Sequence, residues 1–527
     1  MKIDVKENFI DKGIKIIAPV YAAKRLKARM NMAVANSFIG ASKSRRQTES
    51  WSIKKGDADT LINYDLPELR ARSMDLYRNS PYATGAIKTN CTNIIGPGLK
   101  LNPQIDRDVL NMTDNKADQW EAKTKQEFDL FGNSTECDIR RVSTFGEIQR
   151  LAFLSTLLKG DVFINMPFLK RVGSPYGLKL QLIDAERVSN PEHARDTKTI
   201  SAGIEKNDNG EPIKYHILNM HPNSQLGGIN KKKWQGVKVF GSQTGRRNII
   251  HLFEPILPDQ SRGIPYLSHV IEPFKQLDRY SEAELSAAVV SAMFTVFIKS
   301  ELGEGLGVMQ PTAETGGKAS DKDFRMSSAA MLDLMPGEDV AFANPTRPNT
   351  AFDGFVQSIL RQIGVALELP FELVVKHFTS SYSASRAALL EAWRFFSARR
   401  QWLSRKLCQP IYENWMEEAV SIGRISAPGF FNDPIIRAAY LGAVWIGPPK
   451  GMIDEKKETD ADEKKIMIGE MTHSQVTAER TGGDWVKNIR QLKKENQLKD
   501  EAGFPIQNPA SSQQKIAALE DSLNEIA

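Results

Sequence analysis

The stretch Asp65–Leu99 reads DLPELRARSMDLYRNSPYATGAIKTNCTNIIGPGL. Asp65 can cap a helix, and Pro67 suits a first turn, where a missing backbone N–H costs nothing. Leu66, Leu69, Met74 and Leu76 share part of one apolar face, so a helix is expected over Asp65–Arg78. Tyr82–Ile95 continues as a second helix. Gly96-Pro97-Gly98 stops it, since proline cannot extend a helix and glycine accepts the backbone of a sharp exit. Leu99–Ile105 alternates as a strand does. Two short helices delivering the chain into a strand point to a mixed α+β domain.

The pattern extends downstream. Helices are expected at Thr124–Phe131 and at Thr144–Leu158, the latter capped by Thr144 and ended by Gly160. From Asp161 to Phe253 the period changes to two. Strands are expected at Val162–Phe168, Leu178–Ile183, Ile213–Ile217, Val237–Phe240 and Ile249–Phe253, with Asn207-Asp208-Asn209-Gly210 as a hairpin turn. Leu267–Ile298 reads as one long helix, more than about 40 Å if unbroken, with Pro273 a place to bend. Glu301–Ser320 is Gly-rich and reads as a loop. Ala341–Arg347 is extended and Phe352–Leu367 helical. Ser383–Val420 is a second long helical tract, divided at Pro410. Asp454–Lys465 mixes charges as an exposed helix does, and Gln507–Ala527 reads as weakly ordered or assembly-dependent. Upstream, Tyr21–Met30 has helical composition.

Composition bounds the function. The chain has 527 residues, 41% apolar and 25% charged, as expected of a globular protein with more than one domain. No run of eighteen apolar residues suggests a membrane span, and the N-terminus shows no secretion signal. Cys91, Cys137 and Cys408 are too scattered for a zinc site or disulfide framework. Residues 1–50 hold 11 Lys and Arg against 4 Asp and Glu, a balance of +7. The other 477 residues hold 59 against 60, a balance of −1. A basic arm suits nucleic acid, an acidic partner, or a solvated lead-in helix. One further stretch is unusual. Between Pro212 and Phe253 there is no acid, while Lys214, Lys231, Lys232, Lys233, Lys238, Arg246 and Arg247 are present.

Catalytic signatures are missing. No GxxxxGK[ST] loop occurs; before Gly317-Lys318, Thr312 stands where the first glycine belongs. HExxH and GxSxG are absent, and the seven histidines are scattered. Asp57/Asp59, Asp460/Asp462 and Asp184/Glu186 are paired carboxylates of the kind that hold a metal, yet none has an obvious third ligand. No catalytic, cofactor or metal residue is assigned. Long helices, a basic β segment and a Gly-rich loop fit a structural or conduit protein.

Several fragments resemble the lambda-type family of bacteriophage portal proteins, in the family's order. They are Leu69–Gly85 (LRARSMDLYRNSPYATG), Asn93–Leu99 (NIIGPGL), Leu182–Arg187 (LIDAER), Gly203-Ile204-Glu205, Gly210-Glu211-Pro212, His251-Leu252-Phe253, Asp259–Pro265 (DQSRGIP), Tyr280-x-x-Ala283-Glu284-Leu285, Pro336-Gly337-Glu338, and Tyr382–Ala388 (YSASRAA) with Glu391 and Trp393. The resemblance covers roughly residues 50–460. It departs near Asp454, where the family's Asp-Pro step is missing.

The resemblance implies an α+β portal fold with an α/β wing, a helical stem, a β-containing clip and a C-terminal helical crown or tail. It implies a ring, expected as a dodecamer, that passes double-stranded DNA into and out of a phage head. Placed on this chain, the expectation is a basic arm (1–50), the first part of the wing (51–160), a β-rich segment including the clip (161–262), a stem helix (263–300), a wing core with a Gly-rich channel loop (301–445) and the crown or tail (446–527). Implied partners are other copies, the terminase large subunit, major capsid and scaffold proteins, and head–tail connector proteins. Implied locations are the portal vertex of the virion and, during assembly, the host cytoplasm. Lys231, Lys232, Lys233, Arg246 and Arg247 are the candidate contacts to DNA or motor, and Arg394–Arg405 (RFFSARRQWLSR) is candidate interface material. Rival readings are a DNA-processing nuclease built on paired carboxylates and a minor capsid protein.

Overall fold

The computed structural model describes residues 13–16, 18–35, 46, 50–225, 232–292, 296–300, 338–342, 352–378, 381–451 and 455–502. Lys231, the Gly-rich segment 301–320 and the tail 507–527 lie outside the described residues. The chain divides into two compact units, residues 1–61 and 62–527. In the first, helix α1 (Pro19–Ala35) contains the expected Tyr21–Met30, and α2 (Ala58–Ile62) runs across the boundary.

The second unit opens with α3 (Leu66–Asn79) and α4 (Pro81–Ile94). Leu66, Arg70, Ser73 and Leu76 face inward at helical spacing, so the expected face exists but has an arginine at its centre. Asp65 makes no side-chain capping bond. Pro67 in the first turn, with φ already set for helix, starts α3 instead. The C-terminal carbonyls of α4 are satisfied from far away: Arg400 donates to Asn93 O at 2.8 Å and to Ile94 O at 3.1 Å.

Strand β1 (Lys100–Pro103) leads to α5 (Asp114–Gly132) and α6 (Phe145–Lys159). Helix α5 begins ten residues before the expected Thr124, because its first turns are polar and carry little apolar period. Thr144 caps α6 as expected, in a reciprocal capping box with Glu147. Gly160 ends it at φ +87; a Cβ there would lie 2.3 Å from Gly263 O, so glycine is required twice over.

Strands β2 (Asp161–Asn165), β3 (Gln181–Asp184), β4 (Ile200–Ser201), β5 (Ile204–Lys206), β6 (Pro212–Leu218), β7 (Trp234–Lys238) and β8 (Ile249–Phe253) form two antiparallel sheets, ordered β3-β2-β8 and β4-β5-β6-β7. Alternation along β2 and β8 separates two apolar clusters. Val162, Ile164, Ile250 and Leu252 face the main core. Phe163, Ile183 and Ile249 face a smaller core with Val188, Ile204, Tyr215, Ile217 and Val239. The three-stranded sheet is thus a wall buried on both sides.

Helix α7 (Ile271–Ala292) is shorter than the expected Leu267–Ile298. Pro273 sits in its first turn, where no hydrogen bond is lost, and does not bend it. The β-prone residues beyond it form β9 (Val296–Ser300), paired antiparallel with β10 (Glu338–Phe342). Helix α8 (Phe352–Ala366) returns along α7: Tyr280 meets Phe352 and Phe355 at ring distances of 5.4 and 4.8 Å. The short α9 (Phe371–Val375) follows, then α10 (Tyr382–Leu403) and α11 (Gln409–Ser421). Pro410 does not divide the tract. A π turn, Ser404–Cys408, joins α10 to α11 with helical backbone on both sides; the wider turn accommodates the proline ring and its missing N–H.

A late strand of the second unit pairs with its first strand. After α12 (Pro434–Tyr440), β11 (Ala443–Ile446) pairs antiparallel with β1. Phe128 of α5 collects the late aromatics Tyr412, Trp415 and Trp445 edge-on at 5.7, 5.0 and 5.8 Å. Glu418 of α11 is buried, and its carboxylate accepts the backbone N–H groups of Gly177 and Leu178. Then come α13 (Glu455–Met467), exposed as expected, α14 (His473–Thr481) and α15 (Trp485–Glu501).

At the wall's edge sits Asp161, with no exposed side-chain surface. Arg262 Nε lies 2.6 Å from Oδ2 and Arg70 Nη2 2.7 Å from Oδ1. His251 Nε2 lies 3.1 Å from Oδ2. Arg262 also donates to the carbonyls of Ala185, Val188 and Ala202. Burial pushes the Asp161 carboxyl up, but the two guanidiniums and His251 outweigh it and hold it well below the usual range. Burial lowers Arg70 to about 10, still charged at neutral pH. A depressed carboxyl contributes stability above the unfolded-state value and loses it as the pH falls through the folded value. Asp161→Asn is expected to cost about 3–5 kcal/mol in urea denaturation at pH 7, because it strands buried guanidiniums. It should also remove an acid-unfolding phase that sets in below about pH 4. A cost under about 1 kcal/mol would contradict the role given to this cluster.

Candidate functional site

The basic segment is built on the four-stranded sheet. Asn207 shapes the β5–β6 turn: its Oδ1 accepts from the backbone N–H groups of Asn209 and Glu211, and Gly210 N donates to Asn207 O. Strand β6 pairs with β7 in the register Lys214↔Lys238 to Leu218↔Trp234. Strand β7 is the last in the sheet order.

That register pulls the candidate residues apart. Lys232 and Lys233 precede β7, beside Asn219. Arg246 and Arg247 lie past its other end, where Phe240 bridges Arg247. Phe240 follows Lys233 by seven steps of extended chain, about 23 Å at strand rise. The four described residues therefore form two small groups at opposite ends of one strand. Lys232 Nζ donates to Pro222 O at 2.6 Å, while Lys233 is exposed. The Arg247 guanidinium lies 4.8 Å from the Phe240 ring centre. Arg246 Nε and Nη2 are enclosed without a hydrogen-bond partner. The acid-free appearance is also partly cancelled in space: Glu205 of β5 takes Lys214 at 2.8 Å.

Asp184, Glu186, Asp57 and Asp462 each have a neighbour that engages them. Among the described residues, one set of three possible metal ligands converges: Asp184, Glu186 and His221, with ligand atoms within 4.8 Å of one another. Lys159 Nζ already occupies it, 2.7 Å from Asp184 and 2.9 Å from Glu186, and His221 Nε2 lies 3.0 Å from Glu186. Burial lowers the Lys159 pKa, but its two carboxylate partners raise it above the ordinary value. Asp57 accepts the hydroxyl of Thr60. Asp462 takes Arg480 at 2.6 Å and Lys465 at 3.4 Å. His221 is a ligand candidate that sequence reading missed, since it lies 35 positions from Glu186 and nothing in its local pattern marks it.

The thiols are buried and unpaired. Burial raises Cys91 to about 11 and Cys137 to about 12, and pushes Cys408 higher still, which leaves no thiolate for nucleophilic work at neutral pH. An open groove of about 570 Å³ between α8 and α10 is lined by Arg361, Gly364, Glu368, Pro370 and Glu391, among others. Among the described residues, no helix is long and apolar enough to cross a membrane.

The fragments quoted from the sequence serve the frame. DQSRGIP supplies Arg262 to Asp161 and Gly263 to the close pass at Gly160. LIDAER supplies the Lys159 partners, the Ala185 carbonyl under Arg262, and Arg187, which binds Leu218 O and Asn219 O. Within Arg394–Arg405, Arg399 lies over Phe395 and Tyr266 and Arg400 finishes α4, so part of that run is committed inside the subunit.

Residues 44–400 match the model of the family described as phage portal protein, lambda family. Portal protein B of Escherichia phage lambda is 25% identical over 482 residues, covering 87% of this chain and 89% of its own. The portal protein of Escherichia phage N15 is 26% identical over 481 residues, with the same coverage. Among solved structures, a chain from the virion of a native gene transfer agent particle has a TM-score of 0.40 at 14% identity, covering 78% of this chain and 92% of its own. A chain from the neck of a native gene transfer agent particle computed with C12 symmetry has a TM-score of 0.39 at 14% identity. Scores of that size carry no weight for fold or assembly.

Replacing Lys159 by Met is expected to cost about 1–3 kcal/mol by leaving two half-buried carboxylates without their cation. Thermal melts with zinc or magnesium should leave the unsubstituted protein unmoved and raise the midpoint of the Lys159→Met protein. A zinc-dependent rise in the unsubstituted protein would show that the lysine does not fill the cluster.

Proposed function

The chain belongs to the lambda family of phage portal proteins, and from that premise we propose that it forms the ring at one vertex of a viral head through which double-stranded DNA enters and leaves. The observation that carries this reading is the family match over residues 44–400, together with the structural use of the matching fragments. The assembly is a dodecamer with head-to-tail contacts, since a rotation that closes into a ring needs a heterologous interface.

Charge supports passage rather than capture. A duplex carries one charge per about 1.7 Å, and each phosphate neutralised adds salt-dependent affinity. The chain outside residues 1–50 balances at −1, which favours sliding. The two basic groups on β7 then serve local contacts, with DNA near an opening or with the packaging motor. Force comes from a separate terminase, because the sequence has no phosphate-cradling loop of its own. Capsid, scaffold and head–tail connector proteins complete the vertex. The assembly sits in the virion, after forming in the host cytoplasm.

Within the subunit, α7 and the returning α8 fit a stem, and the β9–β10 pair joining them fits a clip. This assignment is favoured over a clip within 161–262, because β2, β3 and β8 are buried in the core. The body around Asp161 fits the wing, and α13–α15 fit the crown or tail. The nuclease reading is disfavoured by Lys159, which occupies the one converging carboxylate set among the described residues.

Electron microscopy of the purified protein should show a twelve-fold ring with an axial hole; a particle without a hole would defeat the portal reading. Lys232→Glu/Lys233→Glu and Arg246→Glu/Arg247→Glu, made separately, should leave rings intact while lowering packaged DNA about tenfold, as expected when about 1.4 kcal/mol of favourable contact is lost. Unchanged filling in both would remove these residues from the mechanism. Purified rings should hydrolyse no ATP.

A further inference from the structure

Strand β7 ends the four-stranded sheet, and among the described residues no strand pairs with its outer edge. The register decides which backbone groups that edge presents. Val239 N donates to Ile213 O and Asn219 N to Lys233 O, so Gln235 and Val237 bond inward to β6. Trp234, Gly236 and Lys238 therefore turn their N–H and C=O groups outward. Asn248 Nδ2 already takes Lys238 O, at 3.2 Å. Gly236, at the middle of the edge, is exposed, and its φ lies outside the left-handed region. The atoms that a Cβ there would meet first all belong to the flexible Lys214 side chain, with Cδ at 2.8 Å. The fold itself does not demand glycine at this place; close approach of another backbone accounts for it.

The edge is also one-sided in charge. Residues 212–253 contain no Asp or Glu. Lys233 and Lys238 are exposed at its two ends. Lys238 Nζ donates to the Ser242 hydroxyl at 2.9 Å, which leaves its charge uncompensated. Glu205, on β5, is engaged by Lys214 at 2.8 Å and His216 at 3.1 Å. An open strand edge is a template for another strand. The lysines oppose a second β7, which would set like charges side by side. Duplex DNA suits the lysines but not the edge: phosphate oxygens only accept, and the outward carbonyls of Trp234 and Gly236 need donors. We propose that the outer edge of β7 binds an extended, acidic segment of another protein as a fifth strand, its carboxylates meeting Lys233 and Lys238. This rests on the reading of the basic groups of β7 as contact sites, and it names their partner as protein rather than DNA.

The test uses the purified full chain and a labelled peptide of alternating Val and Thr with two Glu at each end. Fluorescence anisotropy reads binding, and hydrogen–deuterium exchange reads the amides of β7. The peptide should bind and slow exchange at Trp234, Gly236 and Lys238 about tenfold, leaving Gln235 and Val237 unchanged because they already bond to β6. Gly236→Pro removes one outward N–H and no bond to β6, a change that an edge strand tolerates; it should weaken binding about tenfold. Lys233→Glu/Lys238→Glu should do the same, and a peptide with Lys in place of Glu should not bind. Binding without slowed exchange at the three outward amides overturns the proposal, as does binding that neither variant weakens. A short DNA duplex that binds where the peptide does not, and is lost with Lys233→Glu/Lys238→Glu, overturns it too while keeping the contact-site reading. Packaging left unchanged by the charge reversals would remove that reading, and the proposal with it.

Discussion

The structure depends on a buried negative charge shared between positive groups. Asp161 opens the central strand of the three-stranded sheet, and its oxygens face Arg70 from the first helix of the body and Arg262 from the loop before α7. Such clusters add little net stability over a well-packed apolar equivalent, but they tolerate no loss of a member. What this one supplies is position. Arg262 ties Asp161 to three backbone carbonyls at the edge of the second core, and His251 stacks on Phe163 while reaching the same carboxylate. The register between the two cores is fixed by charge and hydrogen bonds, where apolar contact alone would allow sliding.

Much of this frame was legible in the sequence, in proportion to how local its causes are. Thr144 and Glu147 announce the start of α6, Gly160 its end, and Ile249–Phe253 its strand, because each rule acts within a few residues. Helix α7 was read too long: periodicity shows that Thr295–Ile298 is apolar but not that a strand from about forty residues later will pair with it. At Pro410 the usual rule was overridden by a π turn, which only the packing of α10 and α11 explains. Nothing local marks Arg70 as buried. Its partner, Asp161, is 91 positions away.

The candidate site was legible as a composition and not as a place. Counting charges found the basic stretch, but strand register splits it between the two ends of β7, and Glu205 from the neighbouring strand cancels part of it. Conversely, the carboxylate pair at Asp184 and Glu186 resembled a metal site until Lys159, on the preceding helix, filled it. The family fragments are largely spent on holding the subunit together. The family to which the chain belongs is a structural one.

The pairing of β1 with β11, and the late aromatics around Phe128, carry a consequence for biosynthesis. Phe128 leaves the ribosome roughly 300 residues before Trp445 can cover it, a wait of about 15–60 s at ordinary translation rates. For that interval the half-made core is an exposed apolar surface in a crowded cell. The core around Phe128 therefore closes only after Trp445 has been made, late in synthesis of the subunit.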